Sequence, residues 1–325
     1  MIQVEHLSKT YGSTQAIEDI HFSVDQGEIM GFLGPNGAGK TTTMRILAGY
    51  LPATGGTAKI ADYDVHQQSM QVRRRVGYLP ENPPLYPDMT VEGFLHFVAQ
   101  IKGVKKSDRS SKVDSAIQRC QLVERRKDII RKLSKGYRQR VGIAQAIVHE
   151  PPVIILDEPT VGLDPRQIIE VRNLIKSLAG EHTIILSTHI LPEVSMTCDR
   201  VTIVNRGKVV ATNTPSLLMT QFKGSSGYEV EIEGETDIAI ACLQEISGVN
   251  TVEIDNTKSH LPANRTVFQI SCIKEAELGK EIAATIVQQG LGLLEMRRVS
   301  LSLEDIFLEL TTEESTGEKD REINN

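Results

Sequence analysis

The chemistry of this chain concentrates in a few short segments. Gly34-Pro35-Asn36-Gly37-Ala38-Gly39-Lys40-Thr41 fits Gly-x4-Gly-Lys-Ser/Thr, follows an apolar run over residues 29–33 and opens a helical pattern. In such a loop the glycines let backbone N–H groups point inward around phosphate oxygens, and the helix N-terminus adds partial positive charge. Lys40 would then contact the β- and γ-phosphates, and Thr41 would hold Mg²⁺ through its hydroxyl. Val153-Ile154-Ile155-Leu156-Asp157-Glu158 delivers two adjacent carboxylates past the end of an apolar strand, where α/β proteins bind ligands. Asp157 suits Mg²⁺, directly or through water, and Glu158 suits the polarising of a water that attacks the γ-phosphate. His189 ends a second apolar strand, Ile185-Leu186-Ser187-Thr188-His189, and parallel pairing would bring it to the same sheet edge, within reach of the γ-phosphate.

The elements that must position these groups follow from hydrophobic patterning. Residues 29–33, 153–156, 183–187 and 201–204 read as strands buried on both faces. Helical faces lie between them: Ile168, Val171, Leu174, Ile175 and Leu178 mark one, and Val113, Ala116, Ile117 and Cys120 another. This alternation predicts a parallel α/β sheet. Residues 82–133 are helical and basic, open with Pro83, Pro84 and Pro87, and interrupt the alternation as an inserted helical subdomain. After Val210 the pattern changes, and residues 223–227 read as a linker. A β-α-β-β-α-β order follows, with strands near 228–233, 251–254, 267–272 and 293–299 and helices near 238–246 and 275–289, which predicts a ferredoxin-like unit. The expected domains are therefore 1–222 and 228–310, followed by a disordered polar tail over 311–325.

Taken together and in this order, the motifs over roughly residues 1–215 resemble the ATP-binding subunits of ABC transporters. Gly34, Pro35, Asn36, Gly37, Ala38, Gly39, Lys40, Thr41 and the following Thr42 match the Walker A segment, and residues 153–158 the Walker B segment. Leu133-Ser134-Lys135-Gly136-Tyr137-Arg138-Gln139-Arg140 is similar to the family signature, Gly162-Leu163-Asp164 to the D-loop, and His189 to the switch histidine. Tyr11 corresponds to the aromatic that stacks on adenine, and Glu81 stands where the family usually has the Q-loop glutamine.

The resemblance implies a P-loop NTPase core of the ABC ATPase type with the helical insertion, and a small C-terminal α+β domain. It implies ATP and Mg²⁺ as cofactors, with Thr41, Asp157 and Glu81 facing the metal and Glu158 and His189 catalytic. It also implies a head-to-tail homodimer in which Ser134, Gly136 and Asp164 of one copy face the nucleotide of the other. Ser134 itself reads as a good N-cap for the helix carrying Val141, Ala144 and Ile147. An integral-membrane permease is the implied partner, which places the chain in the cytoplasm at the inner face of the membrane. Two departures stand out: the carboxylate of Glu81, which adds negative charge near the phosphates, and Lys135 and Tyr137 in place of a signature glycine and glutamine. Glu81 and the extension ending in Ser302-Leu303-Glu304-Asp305-Ile306-Phe307 are similar to ABC-2-type export ATPases, including gliding-motility-associated ones.

Composition agrees with this reading. A length of 325 residues suits about two domains. With 40% hydrophobic and 24% charged residues, the chain has the means to build sizeable cores. A net charge of −6 and the lack of Trp argue against a nucleic-acid platform, so no nucleic-acid partner is expected. Apolar runs fall far short of the roughly 18 residues that would span a bilayer. Glu5 and His6 interrupt the stretch a secretory signal would need, so the start reads as mature cytosolic protein. Cys120, Cys198, Cys242 and Cys272 are scattered without metal-ligand spacing and read as reduced, inert thiols. The basic clusters at residues 73–75 and 125–127 read as solvated faces. The rival reading is a soluble ABC-type ATPase acting as a mechanical switch on ribosomes or DNA; such relatives carry two ATPase modules or a long coiled-coil insertion, and neither pattern is present.

Overall fold

A computed structural model describes residues 1–221, 226–255, 262, 264–272 and 278–300. The extension at 302–307 and the tail at 311–325 lie outside the described residues, as does most of the linker segment. The chain divides into two compact units, Met1–Pro215 and Ser216–Asn325.

The first unit is organised around a six-stranded sheet of order β10-β9-β3-β8-β7-β6. Its strands are β3 (Ile29–Leu33), β6 (Val76–Leu79), β7 (Val153–Asp157), β8 (Thr183–Thr188), β9 (Arg200–Asn205) and β10 (Lys208–Asn213). Five run parallel, and every residue of β3, β7 and β8 is buried, which is why these segments are apolar on both faces. The edge strand β10 departs from the predicted parallel pattern. It pairs antiparallel with β9 because only Arg206 and Gly207, both at positive φ, separate the two strands, enough for a hairpin and too few for a crossover.

A second, antiparallel sheet of order β2-β1-β4-β5 was not legible in the sequence. It comprises β1 (Ile2–Tyr11), β2 (Thr14–Val24), β4 (Gly55–Ile60) and β5 (Tyr63–Asp64). Its inward residues, among them Ile2, Val4, Leu7, Ile17 and Ile20, share one core with Met30, Phe32, Met44 and Leu47. Three bulges between β1 and β2 break the strict alternation that would have announced these strands.

Helices α1 (Lys40–Leu47), α2 (Ser69–Arg75), α6 (Pro165–Leu178) and α7 (Leu191–Thr197) accompany the sheets. The helical insertion holds α3 (Val91–Ile101) and α4 (Arg109–Arg119), and both pack against α5 (Lys135–Ile147), so the helical layer extends beyond residue 133. Val113, Ala116, Ile117 and Cys120 are all buried, as are Val171, Leu174, Ile175 and Leu178 of α6, in keeping with their helical spacing. Helix α8 (Pro215–Gln221) stands at the boundary of the units.

The second unit is ferredoxin-like: β11 (Ser226–Glu233), α9 (Thr236–Gln244), β12 (Val249–Ile254), β13 (Arg265–Cys272), α10 (Gly279–Gln288) and β14 (Gly292–Ser300). Its sheet, of order β12-β13-β11-β14, is antiparallel throughout. Val230, Phe268 and Ile270 on the sheet meet Leu243, Ile282 and Ile286 on the helices to form its core. All four cysteines are buried and free, and burial pushes the Cys120 thiol up to about 12, so none presents a reactive thiolate.

Where the helical layer meets β6, Lys102 donates from Nζ to the carbonyls of Arg73 and Val76, at 2.9 and 3.0 Å. Burial, aided by the Lys102 ammonium, lowers the His149 imidazole to about 3. This value lies below the roughly 6.5 of an unfolded histidine, so the unfolded chain takes up the proton first as pH falls. Stability from this group is therefore full above about pH 6.5 and is lost below it, at up to about 1.4 kcal/mol per pH unit. Urea unfolding across pH 7.5 to 5 should show this decline in the wild type and a flatter profile in His149→Gln.

Candidate functional site

The ends of four parallel strands converge on one cavity. Leu33 of β3 is in register with Thr188 of β8, Asp157 of β7 with Ser187 of β8, and Leu79 of β6 with Leu156 of β7. The loop after β3, the carboxylates after β7, His189 after β8 and Glu81 after β6 therefore emerge on the same sheet edge. Asn36, Gly37, Gly39, Lys40, Thr41, Thr42, Glu81, Glu158 and His189 line a cavity of about 340 Å³ there.

The loop from Gly34 to Gly39 hands the chain from β3 into α1. Gly39 has φ +97°, and a Cβ there would lie 2.6 Å from the Ala16 carbonyl oxygen, so both conformation and space demand glycine. The Ala38 N–H donates to the Pro35 carbonyl and the Gly34 N–H to the Thr188 carbonyl, which close the loop onto itself and onto β8. Lys40, only 6% exposed, turns back along the loop: its Nζ donates to the carbonyl oxygens of Gly34 (2.8 Å) and Pro35 (3.2 Å) and lies 3.3 Å from Glu158 Oε1.

Glu158 is held from several sides. Its φ is +49°, its N–H donates to Ser187, and its Oε2 accepts from His189 Nδ1 at 2.9 Å, which puts a proton on that ring nitrogen. The His189 ring itself is 40% exposed. Asp157 is fully buried; its Oδ1 accepts from Ser187 Oγ (2.5 Å) and Thr41 Oγ1 (3.2 Å). Burial raises its pKa, with the charges of Glu158 and Glu81 acting in the same direction against the hydrogen bonds from Ser187 and Thr41. Its second oxygen, Oδ2, is buried with no hydrogen-bond partner. An orphaned, anion-disfavouring carboxylate oxygen beside a threonine hydroxyl is an all-oxygen donor set, and it fits a hard divalent cation such as Mg²⁺.

Other sequence-derived residues lie apart from this cavity. Ser134 N-caps α5, its Oγ accepting from the Tyr137 N–H, and Asp164 N-caps α6, accepting from the Gln167 N–H at 3.0 Å. Gly136 lies against Gln167, where a Cβ would meet the side chain at 2.6 Å, so the start of α5 abuts α6. Tyr11, 46% exposed, closes β1 with Lys9 over its ring, outside the cavity lining.

Sequence reasoning overlooked Ser187, the hydroxyl that ties the Asp157 carboxylate and the Glu158 backbone to β8, and the buried Thr160–Glu193–Thr188 hydrogen-bond network beside it. Ser187 and Thr188 sit in a segment already singled out, whereas Thr160 and Glu193 do not. The signal was a pair of hydroxyls inside an otherwise apolar strand.

The ABC transporter family profile matches residues 17–161. An uncharacterized ABC transporter ATP-binding protein of Bacillus subtilis, YhcH, is 32% identical over 316 residues, covering 96% of both chains. This chain belongs to the ATP-binding proteins of ABC transporters. Another member, the bacitracin transport ATP-binding protein BcrA of Bacillus licheniformis, is 32% identical over 95% of this chain and 97% of its own length. Among solved structures, an ATP-binding subunit of an ABC transporter is 33% identical, with a TM-score of 0.62 over 68% of this chain and 93% of its own. A dimeric cassette, MJ0796 in a post-hydrolysis state with ADP and Pi, shares the fold at 24% identity and a TM-score of 0.60, over 66% of this chain and 98% of its own. As a member of the family, this ABC ATPase binds and hydrolyses ATP and energises a membrane transporter. Among the described residues no helix is long and apolar enough to cross a membrane.

Ser187→Ala would strip the Glu158 N–H and Asp157 Oδ1 of a buried partner. It should destabilise the ABC ATPase by about 1–3 kcal/mol in denaturant melts and lower its turnover in a phosphate-release assay.

Proposed function

We propose that the cavity at the sheet edge is one half of an ATP-hydrolysing site, completed by a second copy arranged head to tail, and that it drives export through an integral-membrane permease at the inner face of the membrane. The observation that carries this reading is the buried Lys40–Glu158 pair, joined by the part-exposed His189, beside the orphaned Asp157 oxygen. Thr41 and Asp157 would hold Mg²⁺, with Glu81 near enough to add a ligand directly or through water. Bound there, the ion would neutralise charge on the β- and γ-phosphates.

Lys40 is the phosphate anchor. Without nucleotide its ammonium is shared between two loop carbonyls and Glu158; a triphosphate in the glycine loop competes for that ammonium and frees the Glu158 carboxylate. Glu158 then accepts from and orients the attacking water, and His189 holds the carboxylate by its Nδ1–H while its exposed ring edge faces the incoming phosphate. Asn36, Gly37, Ala38, Gly39 and Thr42 cradle phosphate, with Gly34 and Pro35 shaping the loop, and Tyr11 stacks on the base.

Ser134, Gly136 and Asp164 sit at the starts of α5 and α6, away from the chain's own cavity, so they are suited to a nucleotide carried by another copy. Separating two such halves after hydrolysis turns phosphate chemistry into opening and closing. Export is in keeping with near full-length similarity to a protein named for bacitracin transport. For the permease, a suitable surface is an aromatic groove of about 350 Å³ lined by Tyr50, Tyr86, Phe94, Phe97 and Ile101. Pro80 and Pro84 also line it, so the loop that carries Glu81 touches both groove and nucleotide cavity.

Glu158→Gln should keep ATP binding, lower turnover by at least about 10²-fold and accumulate an ATP-bound dimer detectable by analytical ultracentrifugation. Unchanged turnover would refute the assigned role. Phe97→Glu should leave the ATPase rate of the isolated chain intact while abolishing its co-purification with the permease.

A further inference from the structure

We propose that His6, Asp19 and His21 form a surface site for a borderline divalent transition-metal ion of the Zn²⁺ class, on the exposed face of the β1–β2 hairpin. Each side chain offers one ligand atom, and these atoms lie within 4.8 Å of one another. His6 Nδ1 is 2.7 Å from Asp19 Oδ1, and the rings of His6 and His21 stand edge to face with centroids 5.5 Å apart. Two imidazoles and one carboxylate suit Zn²⁺, unlike the all-oxygen set at Asp157. All three side chains are exposed, so small torsional changes bring the ligand atoms to bond lengths of about 2.0–2.2 Å, with water completing the shell.

The hairpin is deformed in the way that assembles this trio. In a regular ladder continuing from the pair Val4–Phe22, His6 would point inward with Val4. Instead, Leu7 pairs with Ile20, so Glu5 and His6 together face His21, and His6 turns outward. A second bulge sets Glu18 and Asp19 opposite Ser8 before Lys9 pairs with Ile17. His6 and Asp19 carry the left-handed backbone of these bulges, at φ +51° and +50°. The Asp19 N–H is pinned to Ser8 Oγ at 3.0 Å. On the other side, Gly56 of β4, at φ +75°, makes room: a Cβ there would lie 2.0 Å from the His6 carbonyl oxygen. Asp19 and His21, two residues apart on β2, share the outward face that the first bulge gives to His6.

A bound ion would staple β1 to β2. The carbonyl of Ala16 on β2 abuts Gly39, so the staple would stiffen the strand that backs the phosphate loop. The buried cysteines offer no competing ligands.

The test is calorimetric titration of Zn²⁺ into the chelator-stripped full chain without nucleotide, with thermal unfolding in parallel. His21→Gln and His6→Asn are the test variants, since asparagine tolerates the left-handed backbone at position 6. The wild type should bind one tight equivalent and melt at a higher temperature with Zn²⁺. Each variant should bind at least about tenfold more weakly and lose the shift, with MgATP turnover in the absence of Zn²⁺ unchanged. Glu158→Gln should retain the tight equivalent, which separates this site from the His189–Glu158 pair, and Co²⁺ absorption gives an independent readout. No binding by the wild type, binding unaffected by either hairpin substitution, or loss of the equivalent in Glu158→Gln would overturn the proposal.

Discussion

One buried ammonium facing two adjacent carboxylates is the constraint around which the nucleotide-binding unit is arranged. Lys40 neutralises Glu158, but among the described residues no cation pairs with Asp157, whose remaining oxygen is enclosed without a donor. Burying such a group is unfavourable unless a partner arrives, so the site is poised for a cation and an anion together. In the proposed function, magnesium and a triphosphate would supply both. The loop carbonyls of Gly34 and Pro35 and the Glu158 carboxylate share the ammonium that phosphate would claim.

That arrangement depends on β8. It lies between β3, which launches the phosphate loop, and β7, which launches the carboxylates, and its residues Ser187, Thr188 and His189 address each in turn. Ser187 bonds Asp157 and the Glu158 backbone, the Thr188 carbonyl takes the Gly34 N–H, and His189 holds Glu158. A shift of β8 by one residue would reverse the faces of all three. The burial of every residue in β3, β7 and β8 makes that register expensive to change.

The same unit separates two tasks. Chemistry sits on the sheet edge, while the helical layer of α3, α4 and α5 presents an aromatic groove and the signature. The loop from Pro80 to Pro84 touches both, since Glu81 lines the cavity and Pro80 and Pro84 line the groove. The charge of Glu81 acts on Asp157, so that loop would respond electrostatically to a cation held there.

Much of this was legible from the residues alone. The Gly-x4-Gly-Lys-Thr spacing, the apolar strand ending in Asp157-Glu158 and the periodicity of α4 and α6 are local properties, because a phosphate loop, a doubly buried strand and an amphipathic helix each impose their pattern on contiguous residues. The β-α-β-β-α-β order of the second unit was readable for the same reason. The N-terminal sheet was not, since bulges in β1 and β2 erased the alternation, and β10, set antiparallel by a two-residue turn, was not read as a strand at all. Nor could sequence tell that Lys40 turns back to Glu158, that Ser187 bridges the Asp157 carboxylate and the Glu158 backbone, or that His6, Asp19 and His21 meet. Those facts are set by strand register and bulges, which bring together residues far apart in the chain, as with Lys40 and Glu158 or Asp157 and Ser187, through packing that no local pattern encodes.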